Sequence, residues 1–163
     1  MEFIYIGDLV NTHGLKGEVR ILSDFKYKDK TFIPNFNIYV GKGKEELTVK
    51  THRIHKNYDM VTFDRLNNIE DVLKYKGEMI YINRNDLNVN YLDEDLIGMN
   101  VYDENKNLGK IEHLKKGVKY DFLVIKYNGK EYMIPNIKEF VKNVDVKTKK
   151  IEINNIKGLI DED

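Results

Sequence analysis

Histidine is the residue type in this chain with the widest chemical range, because imidazole transfers protons and binds metals near neutral pH. The histidines are His13, His52, His55 and His113. His52 and His55 are three residues apart, so a strand would direct them to opposite faces and separate them as metal ligands. The chain contains no cysteine, which excludes disulfides, thiolate nucleophiles and most structural zinc sites. We therefore expect no metal and no other cofactor.

The remaining catalytic residue types are poorly placed for catalysis. Ser23 is the only serine, and it lies in a charged segment without the G-x-S-x-G pattern of a serine nucleophile. Asp93, Glu94 and Asp95 form an acidic run, which we interpret as a solvated connector. Glycines and lysines alternate at 41–44, but no helix is predicted to follow. A hairpin turn is therefore favoured over a phosphate-binding loop. These patterns predict a protein that is not an enzyme.

A short corner near the amino terminus carries the best remaining candidates. Thr12, His13 and Lys16 hold hydrogen-bond donors there, while Gly14 and Gly17 allow the backbone to turn tightly. Three interpretations stay open: a turn whose polar side chains face water, a tip that binds a partner, or a catalytic pair of His13 and Lys16. Catalysis is the weakest of the three, because no acidic residue is evident to orient the histidine.

The charge balance indicates what kind of partner suits this chain. Its 163 residues include 27 basic and 27 acidic side chains, for a formal net charge of +0. Unassisted binding to naked nucleic acid by counterion release is therefore not favoured. A partner that offers both protein and RNA surface would suit a charge-balanced chain better. No apolar run approaches the ~20 residues that span a bilayer, and no export leader is evident. We expect a cytoplasmic monomer without membrane contact.

The first half of the chain has the pattern of a small β-barrel. The residues from Gly17 to Leu22 alternate, with Glu18 and Arg20 predicted to face outward and Val19 and Ile21 inward. One short helix is predicted over 68–77, where apolar residues recur at helical spacing and Gly77 fits the end. The other predicted strands are Glu2–Val10, Phe36–Val40, Glu46–His55, Met60–Arg65 and Glu78–Asn83. Six short strands are most economically closed into a barrel, which leaves no exposed edge.

The second half predicts another, smaller β-barrel. Asn128-Gly129 lies between two alternating segments and predicts a type I′ hairpin turn. A new strand pattern begins with residues 96–102, and a single helical turn is predicted around Ile137 to Val141. We therefore predict an all-β chain with domains at 1–87 and 96–163, joined by a polar linker at 88–95. In that linker, Tyr91 and Leu92 are either an exposed interface anchor or a contact that packs the two domains together.

These stretches together resemble the ribosome maturation factor RimM family, over nearly the whole chain. The most specific pieces are His13-Gly14-Leu15-Lys16-Gly17-Glu18-Val19 within Gly7 to Arg20, and Asp95-Leu96-Ile97-Gly98-Met99-Asn100-Val101. Supporting pieces are Leu108 to Ile111, Tyr120 to Val124, Met133 to Pro135, and Val144-Asp145. Each piece is short, and their order and spacing together carry the resemblance. It implies a six-stranded barrel related to translation-factor barrels, followed by a barrel of the PRC type in which Gly98 marks a turn.

The resemblance also implies a role. It would be a non-catalytic assembly factor that binds the immature small ribosomal subunit near its head and contacts small-subunit ribosomal protein nineteen. It would aid the processing and folding of small-subunit rRNA. The family usually carries two adjacent aromatic residues tied to subunit binding, and this chain has Tyr91 and Leu92 at those positions. An RNA-processing enzyme that uses His13 and Lys16, and a protein-interaction module without a ribosomal role, remain the alternatives.

Overall fold

A computed structural model describes residues 1–154, 156, 157 and 159. The chain divides into two units, Met1–Asn88 and Val89–Asp163. Each unit has its own sheet and is described by itself.

The sheet of the first unit is a closed barrel with the strand order β1-β2-β5-β4-β3-β6, in which every neighbouring pair is antiparallel. Its strands are β1 (Phe3–His13), β2 (Glu18–Leu22), β3 (Asn37–Val40), β4 (Glu45–His55), β5 (Tyr58–Phe63) and β6 (Met79–Asn83). Closure pairs both sides of every strand, so no edge remains for another chain to extend. The predicted six-stranded barrel is confirmed.

Alternation along β2 sets the inside and outside of this barrel. Val19 and Ile21 are fully buried, whereas Glu18 and Arg20 are half-buried on the other side, as predicted. β1 runs farther than predicted, through Thr12 and His13, because its register shifts between Leu9 and Asn11 and pairing with β2 then continues to the turn. A bulge of this kind lets a strand bend around a small barrel.

The predicted helix is present but shorter than expected. The α-helix α1 covers Ile69–Val72 and continues as a 3₁₀ turn over Leu73–Tyr75. The Asp71 carboxylate accepts hydrogen bonds from the backbone N–H groups of Asn67 and Asn68, which fixes the start of the helix. Only one turn of helix is needed to connect β5 to β6, so the barrel pairing limits its length.

An ion network centred on the buried Asp59 holds the connection between β2 and β3 against the barrel. Asp59, on β5, is 2% exposed. Its carboxylate accepts from Lys28 Nζ at 2.9 Å and from His52 Nε2 at 2.8 Å. The ring of Phe32, itself buried, stacks on the His52 imidazole at 5.7 Å between ring centroids. These contacts attach a long irregular segment to the end of the sheet.

The second unit contains a six-stranded sheet with the order β10-β9-β8-β7-β12-β11. β12 pairs with β7 in parallel, and the other neighbours are antiparallel. The core is a cluster of buried aliphatic residues that includes Leu96, Val101 and Ile111. The strands are β7 (Asn100–Asp103), β8 (Lys106–Lys115), β9 (Phe122–Tyr127), β10 (Lys130–Pro135), β11 (Val141–Asp145) and β12 (Lys150–Ile153).

The local predictions for this unit are partly correct. Asn128 and Gly129 have φ of 52° and 78°, so the predicted type I′ turn is confirmed. The prediction that a strand begins at residue 96 is wrong, because Asp93–Leu96 forms a 3₁₀ helix and β7 begins at Asn100. The predicted helical turn is present, with the Val141 N–H donating to the Ile137 carbonyl at 2.8 Å. The strand β11 that follows was not predicted.

Candidate functional site

The turn between β1 and β2 is fixed by a close backbone approach. Gly17 has φ +87°, and a Cβ at this position would lie 2.2 Å from the Leu66 carbonyl oxygen. Gly14 has φ +69°, but a Cβ there would meet nothing within 4 Å. The Ile69 N–H, at the start of α1, donates to the Leu15 carbonyl at 2.9 Å. The turn is therefore packed against the chain that leads into the helix.

The structure separates the three predicted polar residues of this corner. Thr12 and His13 belong to the end of β1 and are half-buried, whereas Lys16 lies exposed on the turn itself. The Thr12 N–H donates to Asn11 Oδ1 at 2.8 Å. His13 and Lys16 are thus presented from different elements, and no contact between their side chains is seen.

His13 is held by an arginine and not by an acid. Arg20 Nη2 lies 2.8 Å from His13 Nδ1. A guanidinium can only donate, so Nδ1 must accept and the ring proton of the neutral imidazole lies on Nε2. A general base of the Ser-His-Asp type would instead have a carboxylate at this nitrogen. The arrangement is suited to offering a hydrogen-bond donor and not to activating a nucleophile.

His55 also belongs to this site, although sequence reasoning did not place it there. It ends β4, and its ring lies 5.9 Å from that of His13 between centroids. His52 lies on the opposite face of β4, as the strand spacing predicted, and its Nε2 contacts Asp59. The alternation of β2 had already placed Arg20 outside the barrel, but no signal in the sequence brings β4 next to the end of β1. That proximity depends on long-range strand order.

Glu18 is committed to another arginine beside these histidines. Arg53 Nε and Nη2 donate to its two carboxylate oxygens at 2.9 Å and 2.7 Å. The hydrogen bond from Arg53 is the main cause that lowers the pKa of Glu18; partial burial acts in the opposite direction, and the Arg53 charge lowers the pKa further. Bidentate pairing of this kind fixes both side chains in one geometry.

Replacing Arg53 with glutamine should return the pKa of Glu18 toward its ordinary value of 4.5. A folded-state pKa below the unfolded value stabilises the fold above the unfolded pKa, and this stability is lost as the pH falls through the folded pKa. Because the Arg53 side chain is 51% exposed, solvent screening keeps the contribution of the pair to stability small. An NMR titration of the Glu18 carboxyl in both proteins measures the shift. An unchanged pKa in the variant would contradict this assignment.

The second predicted pair, Tyr91 and Leu92, is not uniformly exposed. Tyr91 is half-buried and packs against the aliphatic cluster of the second unit. Leu92 is 3% exposed, so of the two open interpretations its own side chain does not fit an exposed anchor. The Leu92 N–H donates to Asp95 Oδ2 at 2.8 Å, which begins the 3₁₀ helix. Gly98 follows that helix with φ +88° and donates its N–H to the Ile111 carbonyl at 2.8 Å.

The described residues hold few other groups that are placed for catalysis or metal binding. Ser23 Oγ donates to the Ile6 carbonyl and accepts from the Phe25 N–H. Its hydroxyl therefore stabilises the loop that follows β2. Among the same residues no group of three or more His, Asp or Glu side chains is arranged to hold a metal ion. None of the helices described is long and apolar enough to cross a membrane.

Comparison with known protein families gives matches in both units. A family model described as the RimM N-terminal domain matches residues 4–87, and one described as the RimM PRC barrel domain matches residues 93–159. The chain belongs to the RimM family. The predicted resemblance is therefore confirmed, and so is the prediction of a translation-factor-like barrel followed by a PRC-type barrel.

Relatives with the RimM name align with almost the whole chain. A protein named ribosome maturation factor RimM from Staphylococcus haemolyticus is 36% identical, covering 97% of this chain and 99% of the relative. One with the same name from Staphylococcus aureus is 38% identical with the same coverage. A solved structure of a RimM protein from Pseudomonas aeruginosa has a TM-score of 0.49 and 23% identity, covering 94% of this chain and 97% of its own.

Proposed function

We propose that this RimM-family protein is a non-catalytic assembly factor of the small ribosomal subunit. The observation that carries the proposal is the match of both units to RimM domains, with relatives named ribosome maturation factor at 36% and 38% identity. The corner of the first barrel supports it, because His13 faces an arginine and lacks the acid that a catalytic histidine uses.

The finer proposal concerns the partners. The protein binds the immature subunit near its head, contacts small-subunit ribosomal protein nineteen, and aids the folding and processing of small-subunit rRNA in the cytoplasm. It acts as a monomer, with residues 88–95 connecting a domain at 1–87 to a domain at 96–163. Thr12, His13 and Lys16 on the first barrel, and Tyr91 and Leu92 on the second unit, contribute to the contact. Leu92 contributes by fixing the position of Tyr91, since its own side chain is buried.

A factor that aids assembly without catalysing a reaction must bind one state of the subunit more tightly than another. A factor that binds the immature subunit more tightly than the mature one shifts the population toward the assembly-competent state. Release then follows as the mature subunit loses the binding surface. Sedimentation of the purified protein with immature and with mature small subunits tests this proposal. We expect the protein to sediment with immature subunits. Equal binding to immature and mature subunits, or binding to neither, would contradict the proposal.

Replacing Tyr91 with alanine should weaken binding to immature subunits by ~1–3 kcal/mol, because aromatic anchors at interfaces dominate affinity. Tyr132 is the matched control, since it is another tyrosine packed partly buried against the same cluster. Alanine at Tyr132 should lower the melting temperature of the second unit but leave the affinity unchanged. Sedimentation and thermal unfolding measure the two quantities. If both variants lose stability and neither loses affinity, Tyr91 is a packing residue.

A further inference from the structure

The outer face of the first barrel has a polar region where β2, β5 and β4 lie side by side. Arg20 pairs with Met60, and Met60 pairs with Arg53, so these three side chains lie in one row outside the barrel. Met60 is nevertheless fully buried. The polar side chains around it therefore cover it. Val61, its neighbour along β5, fills the interior.

Charges in this region do not balance. The carboxylate of Glu18 is used by Arg53, through two hydrogen bonds. Arg20 donates to the uncharged acceptor His13 Nδ1, and its Nε is buried without a hydrogen-bond partner among the residues that the structure describes. A guanidinium stays protonated at any physiological pH. Among the described residues no carboxylate forms an ion pair with Arg20, and leaving one of its donors buried and unpaired costs free energy.

The His13 and His55 rings near Arg20 can donate hydrogen bonds, while the Glu18 carboxylate opposite His13 is already paired with Arg53. Since His13 Nδ1 accepts from Arg20, its Nε2–H is the remaining donor of that ring. The centroid of the His55 ring lies 5.9 Å from that of the His13 ring. The centroid of the Tyr58 ring lies 5.9 Å from Arg20 Cζ, in a cation–π contact. We call His13, Arg20 and His55 the basic cluster. A guanidinium without an anionic partner, beside the Nε2–H of His13, matches the oxygens of a phosphate, which accept only.

The surroundings of the basic cluster suit a polyanion better than a single carboxylate. The contact between His13 and His55 brings together the turn that follows β1 and the turn that follows β4. Each of these turns carries an exposed lysine, Lys16 in the first and Lys56 in the second. Cations spaced along a surface in this way bind successive phosphates of a nucleic acid strand.

We propose that the basic cluster binds a backbone phosphate of RNA, with Lys16 and Lys56 facing the neighbouring phosphates. This inference rests on the ribosomal function proposed above and assigns RNA, and not protein, to this part of the contact. Phosphate contacts position a protein on RNA without reading its sequence. The basic cluster would therefore orient the first barrel on rRNA.

The test measures the affinity of the full chain for a bare transcript of small-subunit rRNA between 50 and 200 mM salt. Replacing Arg20 with glutamine should weaken binding about 10-fold and reduce the slope of log K against log salt by about 1, the value of one lost phosphate contact. Lys76, exposed next to α1, is the control. Glutamine at Lys76 removes the same charge outside the basic cluster and should change neither quantity. An unchanged slope for the Arg20 variant would overturn the proposal.

Two further variants guard against loss of folding. Arg20→Lys keeps the charge but not the planar fork, so it should keep the salt slope and lose part of the affinity. His55→Gln removes a half-buried ring at the rim and should weaken binding severalfold without a change in melting temperature. Binding of the wild-type protein to immature subunits is measured in parallel. Binding to subunits without binding to the transcript overturns the RNA assignment alone, whereas failure to bind subunits overturns the proposed function itself.

Discussion

Alanine at Gly17 is expected to destabilise the first unit by about 3 kcal/mol, through backbone strain and a forced shift of packed chain. An added Cβ would lie 2.2 Å from the Leu66 carbonyl oxygen, and φ is +87°. Neither cost can be relieved by rotating a side chain, because the opposing atom belongs to the backbone. The clash also separates the turn from the start of α1, where the Ile69 N–H donates to the Leu15 carbonyl.

Gly14, in the same turn, is the matched control for this prediction. It shares the left-handed backbone, with φ +69°, but has open space around its Cβ position. Alanine at Gly14 should therefore cost only the conformational term, about 1 kcal/mol. Hydrogen exchange measured by mass spectrometry across a urea series reports the stability of the first unit separately from the second. Equal losses in the two variants would show that the approach to Leu66 contributes nothing.

Alanine at Asp59 is the second substitution with a large expected effect. It removes the shared acceptor of Lys28 Nζ and His52 Nε2, at 2.9 Å and 2.8 Å. Asp59 is buried, but the Lys28 side chain is 36% exposed and can be hydrated after the substitution, so the expected loss is about 2 kcal/mol, as for hydrogen bonds to a charged group. For a unit of Met1–Asn88, a loss of that size lowers the melting temperature by roughly 10 °C. The segment between β2 and β3 should be the first to exchange its amide hydrogens.

Asp64 is a suitable comparison for Asp59. It is an aspartate in the turn that follows the same strand, but it is exposed. Alanine at Asp64 should change the stability by no more than about 0.5 kcal/mol, as surface substitutions usually do. Calorimetry on the two variants and the wild type measures the difference. If Asp59→Ala melts within a few degrees of Asp64→Ala, the ion network does not hold the β2–β3 connection.

Local patterns predicted the parts of this fold that depend on local chemistry. The alternation of β2 placed Val19 inside and Arg20 outside, and Asn128-Gly129 specified its turn, because side-chain direction and φ preference act over two or three residues. The contact between His13 and His55 could not be predicted in this way. It depends on which strands are neighbours and on their register, and the loops between them do not specify either.

The candidate site also combines local features that the sequence predicted with long-range contacts that it did not. Gly17 was correctly expected to allow a tight turn, but the approach of Leu66 that requires it comes from a distant part of the chain. For Leu92 the sequence left two interpretations open, an exposed interface anchor or a contact that packs the two domains together. Its polar, acidic segment forms a 3₁₀ helix, in which the Asp95 carboxylate accepts from the Leu92 N–H, and the apolar side chain is buried. The composition of a segment does not reveal which of its few apolar residues are covered.

The position of β12 has a consequence for how the protein is made. β12 lies between β7 and β11, and pairs with both, although Lys150–Ile153 is synthesised after either of them. Until those residues leave the translating ribosome, β7 has one unpaired edge and β11 has no partner in the sheet. Translation adds ~5–20 residues per second, so the incomplete sheet persists for seconds with an edge that other chains can extend. The second unit can complete its sheet only late in synthesis, whereas the barrel of the first unit can close earlier.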